Sequence, residues 1–220
     1  MSEPTIRPAT AGDAEFVAWT IQAAMRSHLK KGWFDIMLAR PEAECLEFVR
    51  RLVLAETPSW WHHSLFLIAE VDGKPASALC RFRAGDGYPL SERAMTEVVA
   101  SYRWSEAELK TMWQRGAYAF TCILPGDDDR WTIENVATRP EYRGRGLVGT
   151  LIEHALAEGR GRGFSEAQIT FLIGNDPAER AYTKAGFTFE AEKRHPDHEA
   201  ACGSPGLRRF KRKLAKHQEP

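Results

Sequence analysis

The sequence predicts an α/β protein with both antiparallel and parallel strands, and two stretches of the chain support this fold class. Residues 65–71 and 76–83 are strand-like, and Asp72-Gly73 between them supplies the positive-φ pair that a tight hairpin turn requires. From residue 131 onward, strand-like and helix-like stretches follow each other in the order β-α-β-α, which is typical of parallel strands joined by a crossover helix. A mixed sheet is therefore expected.

Two helices are expected before the hairpin. The chain starts with a short extended stretch at Ile6 and Arg7, and Asp13 is a candidate N-cap for the first helix. The second helix begins after Pro41, and Pro58 closes its segment. In both segments the residues of one face repeat at helical spacing. These faces contain Ile21, Ala24, Met25, His28 and Leu29 in the first helix and Cys45, Leu46, Val49, Leu52 and Val53 in the second.

Residues 84–130 differ from both flanks because they carry two helical stripes, separated by a capping box of Ser105 and Glu108. A segment of this length is small for an independent core. We therefore interpret residues 84–130 as a helical αα-hairpin inserted between the third and fourth strands of a single domain that spans residues 1–220. The stripes are Ala94, Met95, Val98, Val99 and Tyr102, followed by Leu109, Met112, Trp113 and Gly116.

The last third of the chain is expected to alternate between strands and helices and then to end in two strands. Apolar residues repeat at helical spacing in its first helix, and Gly186 follows its second helix as a C-terminal stop. The expected elements are strand 131–138, helix 147–158, strand 167–173, helix 177–185 and strands 187–193 and 207–214.

The charge balance limits the partners of this protein. Thirty Lys and Arg residues balance thirty Asp and Glu residues, so no global field would gather nucleic acid or anionic lipid. The longest apolar run, residues 65–69, is far shorter than the roughly 18 residues of a membrane span, and the start lacks the features of a signal peptide. We therefore expect a cytoplasmic protein that binds neither nucleic acid nor a membrane, with any anion site local.

The four cysteines argue against a metal centre and against a disulfide framework. They are widely scattered and form no C-x-x-C pair, so buried, reduced thiols are the expectation and no metal is expected. These residues are Cys45, Cys80, Cys122 and Cys202.

A turn rich in glycine and arginine lies between the strand 131–138 and the following helix. Glycines allow the backbone to approach a ligand closely, and the first amides of a helix offer donors to a phosphate or pyrophosphate. Arginines here, with Arg139 just before the turn, would add charge-assisted contacts. Solvated arginines on a connecting loop are the alternative. The expected anion-binding residues are Arg143, Gly144, Arg145, Gly146, Leu147, Val148 and Gly149.

Two nucleotide-binding motifs compete for this turn. A Walker loop needs Lys after its last Gly, but Gly149 is followed by Thr150. Gly144, Gly146 and Gly149 do satisfy G-x-G-x-x-G, yet five residues separate them from the strand and no acidic residue ends the next strand at the required distance. An oxidoreductase that binds NAD(P) through these glycines therefore remains the alternative.

The turn and a second motif together resemble the GNAT superfamily of acyl-CoA N-acyltransferases. The first motif is Val-Ala-Thr-Arg-Pro-Glu-Tyr-Arg-Gly-Arg-Gly at residues 136–146, and the second is Asn-Asp-Pro-Ala at 175–178 with Tyr182 and Ala-Gly-Phe at 185–187. In the family pattern Q/R-x-x-G-x-G/A, Arg143 and Gly146 match, whereas Val148 replaces the final small residue. The resemblance extends to the order of elements over nearly the whole chain except residues 84–130.

This resemblance implies a central mixed, mostly antiparallel sheet with helices on both faces. It also implies that the strands at 131–138 and 167–173 diverge, and that the pantetheine arm of acetyl-CoA, or of another acyl-CoA, pairs with backbone in the gap. By position, Val136, Ala137 and Thr138 would present that backbone, residues 143–149 would hold the pyrophosphate, and Asn175 would bond to the cofactor. An unpaired strand edge suits an extended arm that carries amides.

Two side chains are expected to move protons during acyl transfer. Asp176 as N-cap, Pro177 and Glu179 as part of a capping box define the helix that carries Tyr182. The resemblance assigns Tyr182 the role of the acid that protonates the CoA thiolate, although a core tyrosine is the alternative. Glu134 lies on the strand that matches the family's catalytic strand and is the candidate base, with a solvated strand residue as its alternative.

The resulting hypothesis is direct transfer of an acyl group, expected to be acetyl, from acyl-CoA to the amine of a small molecule or peptide. Besides the oxidoreductase, a non-catalytic sensor that binds acyl-CoA stays open, because it would keep the phosphate turn without a working acid and base. A homodimer is left open as the assembly.

Overall fold

The computed structural model describes residues 3–125 and 128–214. Within these residues one sheet contains β1 (Thr5–Pro8), β2 (Phe66–Val71), β3 (Lys74–Arg83), β4 (Trp131–Thr138), β5 (Glu166–Leu172), β6 (Thr188–Arg194) and β7 (Gly206–Lys213). The helices are α1 (Ala14–Arg26), α2 (Trp33–Leu38), α3 (Glu42–Val53), α4 (Ala84–Gly87), α5 (Ser91–Ala100), α6 (Glu106–Gly116), α7 (Leu147–Gly161), α8 (Asp176–Lys184) and α9 (Pro196–Cys202).

The strand order is β1-β2-β3-β4-β5-β7-β6, and among the described strands only β4 and β5 pair in parallel. The predicted mixed, mostly antiparallel sheet is therefore confirmed. A dinucleotide-binding fold needs a largely parallel sheet, so this topology argues against the oxidoreductase alternative. The predicted hairpin is also present: β2 and β3 pair antiparallel, and Asp72 (φ 52°) and Gly73 (φ 73°) form its turn.

Helices cover both faces of the sheet because apolar side chains of the central strands alternate between them. Phe66 and Ile68 of β2 belong to a core shared with α1, α2, α3, α5 and α6. The intervening Leu67 and Ala69 belong to a second core that is shared with α7 and α8.

Three short helices, α2, α4 and α9, escape the sequence-based prediction, and one helix is shorter than expected. Helix α1 stops at Arg26 because Ser27 adopts a positive φ of 56°, so His28 and Leu29 lie outside it. Helices α2 and α9 have six and seven residues, too few to show a helical repeat. Asp35 organises the start of α2, because its carboxylate accepts hydrogen bonds from the Gly32 amide and from Arg26, each at 2.8 Å.

The segment 84–130 contains helices α5 and α6, with the expected capping box at the start of α6. The Glu108 amide donates to Ser105 Oγ at 3.3 Å, and the Ser105 amide donates to Glu108 Oε2 at 2.9 Å. The main contacts of α5 are with α3 and those of α6 are with α2. The segment thus extends the helical layer of α1–α3 and is not a self-contained αα-hairpin, since each helix buries its apolar face on a neighbour outside the segment.

None of the helices in the described part of the chain has the length and apolar character needed to cross a membrane.

Candidate active site

Strand β4 changes its pairing halfway along its length. On one side, Trp131–Ile133 pairs in parallel with Ala167–Ile169 of β5, and this pairing then stops. On the other side, β3 follows β4 as far as Thr138, which pairs with Ser77. Among the described strands, residues 134–138 therefore have no partner on the β5 side. The predicted divergence of the two strands is present, and it leaves an open backbone edge.

A β-bulge marks the point where the pairing changes. The register shifts between Ala78 and Cys80, whose partners on β4 are Ala137 and Glu134. Asn135 within the bulge has a φ of 51°, and its buried Nδ2 has no hydrogen-bond partner among the described residues. Bulges redirect side chains next to functional sites, and this one directly follows Glu134.

The glycine-rich turn forms the start of α7, as the sequence predicts. Gly144 (φ 74°) and Gly146 (φ 76°) both adopt the left-handed conformation, and Gly146 occupies the N-cap position. The Thr150 amide is the first to bond back into the helix, to the Gly146 carbonyl at 3.2 Å. The preceding amides of residues 147–149 therefore remain available as donors at the positive end of the helix dipole.

Two arginines flank these amides, whereas a third faces elsewhere. Arg143 and Arg145 are exposed, and Arg145 lies over the Tyr142 ring with 5.1 Å between the guanidinium carbon and the ring centroid. Arg139 instead packs against α1, 5.2 Å from the Phe16 ring centroid. The Arg139 guanidinium is therefore held on the α1 side of β4, and the charge at the turn comes from Arg143 and Arg145.

Asn175 caps α8, and the predicted cap one residue later is wrong. Its Oδ1 accepts a hydrogen bond from the Ala178 amide at 3.2 Å, so Asp176 becomes the first helical residue. Glu179 forms no capping box, because its carboxylate accepts from Arg208 at 2.6 Å. Asn175 Nδ2 also donates to Ser27 Oγ at 2.6 Å and thereby ties the end of α1 to the start of α8.

Glu134 is a half-buried carboxyl group at the start of the open half of β4. Burial raises the pKa of Glu134 to about 8, and a hydrogen bond from Tyr88 acts in the opposite direction. The Tyr88 hydroxyl donates to Glu134 Oε1 at 2.8 Å. A carboxyl group with a pKa near neutrality is suited to exchange protons with a substrate at physiological pH.

Tyr182 lies on α8 and is only 6% exposed. Its ring packs edge-on against Phe171 of β5, with 5.4 Å between centroids. Burial and, secondarily, the Glu134 carboxylate raise the pKa of Tyr182 above its ordinary value, so the hydroxyl keeps its proton. Glu134 of β4 therefore lies within electrostatic range of Tyr182 of α8.

Sequence reasoning did not find Tyr88. The residue follows the short helix α4, 46 positions before Glu134, in a stretch with no catalytic motif and no helical repeat. Its contact with Glu134 arises from the tertiary fold, so no local pattern could have indicated it.

The residues of this site fit acyl-CoA. The open edge of β4 can pair with an extended arm that carries amides, and the α7 amides with Arg143 and Arg145 can bind phosphates. Among the residues described, no group of three or more His, Cys, Asp or Glu side chains is arranged to hold a metal ion.

Comparison with known proteins agrees with this geometry. A family model described as the acetyltransferase (GNAT) family matches residues 33–187, which is more than half of the chain. A streptothricin acetyltransferase from Streptomyces lavendulae is 36% identical over 62 residues, spanning 28% of this chain and 33% of that protein.

Solved structures share the fold. An N-acetyltransferase from Staphylococcus aureus Mu50 has a TM-score of 0.70 at 17% identity, covering 94% of this chain and 100% of that one. The yncA protein of Salmonella typhimurium, solved with acetyl-CoA, has a TM-score of 0.51 at 17% identity, covering 100% of this chain and 98% of that one. From the family match, we conclude that the chain belongs to the acetyltransferase (GNAT) family.

Proposed function

We propose that this enzyme acetylates a primary amine of a cationic small molecule, with Glu134 as general base and Tyr182 as general acid. The observation that supports this proposal is a carboxyl group of raised pKa at the point where β4 loses its β5 partner, with the buried Tyr182 hydroxyl on α8, the helix that follows β5. Acetyl-CoA, when bound, supplies the thioester whose acyl carbon is attacked. Val136, Ala137 and Thr138 would pair with its extended arm, while residues 143–149 would hold its pyrophosphate.

The two groups perform opposite proton transfers. An ammonium ion is not a nucleophile, so Glu134 in its ionised form accepts a proton from the acceptor amine. The amine nitrogen then forms a bond to the acyl carbon as the carbon–sulfur bond breaks. Tyr182 donates its hydroxyl proton to the departing thiolate, and burial keeps that proton in place until negative charge develops on sulfur. The attacking nitrogen loses its second proton to the tyrosinate as the amide forms, and Glu134 releases the first proton to solvent, so both groups return to their starting forms.

The surroundings of Glu134 support a cationic acceptor. Tyr88, whose hydroxyl donates to Glu134, is 38% exposed, and its ring packs against Trp60 and Phe82. In its ionised form, Glu134 next to an aromatic ring attracts a protonated amine through charge and through the ring face. The name of the similar streptothricin acetyltransferase agrees with a small-molecule acceptor.

The test is CoA release from acetyl-CoA with a panel of streptothricin, spermidine, lysine and a peptide with a free N-terminus. We expect turnover with at least one small cationic amine and little with the peptide. Single-turnover acetyl transfer to the best acceptor should slow by roughly 10²- to 10⁴-fold in Glu134→Gln and in Tyr182→Phe, which is the range for loss of a general base or acid. Acetyl-CoA affinity should change far less.

Tyr182→Phe keeps the ring and its packing on Phe171, so a rate within about three-fold of wild type, far below the general-acid range, would return Tyr182 to a structural role. Equal turnover on the peptide would contradict the small-molecule acceptor.

A further inference from the structure

The Tyr88 hydroxyl occupies one oxygen of the candidate base. It donates to Glu134 Oε1 at 2.8 Å, while Glu134 Oε2 has no hydrogen-bond partner among the described residues. A carboxylate with one oxygen fixed by a protein donor presents the other oxygen in a single direction. The geometry therefore leaves Oε2 as the atom that can accept a proton from the acceptor amine.

The backbone around Tyr88 is fixed by an extension of the β3–β4 ladder. Beyond the last strand pair, the Ala84 amide donates to the Arg130 carbonyl at 3.2 Å and the Gly85 amide donates to the Asp128 carbonyl at 3.0 Å. A side chain at Gly87 would collide with the Phe82 ring, so this turn packs directly on β3. The loop that carries Tyr88 is thus joined to the residues that lead directly into β4, the strand that carries Glu134.

Aromatic contacts fix the ring as well. The Tyr88 ring lies edge-on to Phe82 and to Trp60, with centroid separations of 5.0 Å and 5.4 Å. These contacts and the backbone bonds orient the hydroxyl before any substrate is present. Such preorganisation is what a group that aims a catalytic side chain requires.

We propose that Tyr88 is a positioning residue of the acetyl transfer reaction, which fixes Glu134 through Oε1 and keeps Oε2 directed at the acceptor amine. This proposal rests on the proposed role of Glu134 as general base. It gives the segment 84–130 a defined part in catalysis, because that segment supplies a side chain to the active site.

The pKa of Glu134 provides a measure of its hydrogen bond with Tyr88. The titratable groups that influence it or are influenced by it are Tyr88, Tyr182 and Cys80, and Arg209 lies near Tyr88. Burial raises the pKa of Glu134 to about 8, and the Tyr88 hydrogen bond favours the ionised form. Removing that hydroxyl should therefore raise the pKa of Glu134 further, by about one unit, since a charge-assisted hydrogen bond has that order of strength.

The direct test titrates Glu134 by NMR of ¹³C-labelled glutamate carboxyl groups, with the signal assigned by its loss in Glu134→Gln. Tyr88→Phe should raise the pKa of Glu134 by about one unit. Tyr102→Phe is the matched control, because it removes a hydroxyl of the same segment that has no hydrogen-bond partner among the described residues. It should leave the titration unchanged. Equal pKa values in wild type and Tyr88→Phe would overturn the proposal.

The activity readout separates this proposal from the one on which it rests. With the best acceptor, the acidic limb of the kcat/KM profile should move to higher pH in Tyr88→Phe, with about a ten-fold loss near neutral pH that shrinks at high pH. A uniform loss at every pH would indicate a structural role and overturn the proposal. A third outcome separates the two proposals. If the pKa of Glu134 rises in Tyr88→Phe as expected but Glu134→Gln stays active, the hydrogen bond is present and Glu134 is not the general base.

Discussion

The two halves of β4 follow one another in the same strand, yet they have opposite surroundings. Trp131–Ile133 is paired with β3 on one side and with β5 on the other, and its side chains are buried. Trp131 Nε1 donates to the Ala155 carbonyl of α7 at 2.7 Å. Residues 134–138 are paired only with β3 and contain the bulge at Asn135. The first half anchors the sheet, and the second half leaves backbone and side chains available to a ligand.

This difference shows how a single strand can serve both stability and chemistry. Unpaired backbone next to a core costs free energy unless a partner satisfies it. The first half, residues 131–133, supplies the packing that holds the open half in place. Substitutions in the first half should therefore act on stability, and those in or beside the second half should act on binding or proton transfer.

The largest expected effect on stability comes from a matched pair of substitutions in the two halves. Ile133→Ala removes a fully buried side chain and should lower the free energy of unfolding by about 2–5 kcal/mol. Val136→Ala, at a half-buried position in the open half, should cost about 1 kcal/mol. Urea unfolding measures both. Equal losses would contradict the distinction between the halves.

The next largest effect concerns the turn that follows the open half. Arg143→Ala and Arg145→Ala should each weaken CoA binding by about ten-fold to a hundred-fold, because each removes a charge-assisted contact to phosphate worth roughly 1.5–3 kcal/mol. Isothermal titration calorimetry measures this. Arg115→Ala, an exposed arginine on α6, is the control and should bind CoA normally. Unchanged CoA affinity in both Arg143→Ala and Arg145→Ala would contradict the assignment of this turn to phosphate binding.

The third expected effect is a pH dependence of stability that arises from Glu134. Its pKa is raised from 4.5 to about 8 in the folded protein, so between these values the folded state holds a proton that the unfolded chain has lost. The free energy of unfolding should therefore fall as pH rises through this window, by up to about 1.4 kcal/mol per pH unit. Glu134→Gln should lack this contribution and gain stability relative to wild type as pH increases. Parallel stability curves for the two proteins would show that the carboxyl group is not held in its neutral form.

The sequence predicted the elements that carry strong local signals. The Asp72-Gly73 turn, the strand that becomes β4 and the glycine-rich start of α7 were all expected, because each depends on residues that are adjacent in the chain. The cap of α8 was misplaced by one residue, since Asn175 and Asp176 are equally good caps and only the fold decides between them.

Other features depend on contacts between distant parts of the chain. The positive φ of Asn135 is imposed by the bulge opposite β3. Because this position is not a glycine, the sequence gives no sign of it. The hydrogen bond from Tyr88 to Glu134 joins residues 46 positions apart, and the orientation of Arg139 depends on the aromatic face of α1. These features lie in or beside the proposed site, and only the three-dimensional structure shows them.

The most direct test of the central claim is amide hydrogen exchange along β4 with and without acetyl-CoA. In the free protein, amides of residues 131–133 should exchange slowly, and some amides of residues 136–138 should exchange quickly, because that edge has no strand partner. Saturating acetyl-CoA should slow exchange in residues 136–138 by at least about ten-fold and leave exchange in residues 131–133 unchanged. NAD at the same concentration should not slow exchange in residues 136–138. If acetyl-CoA binds while exchange in residues 136–138 stays as fast as in the free protein, the open half of β4 is not the acyl-CoA site.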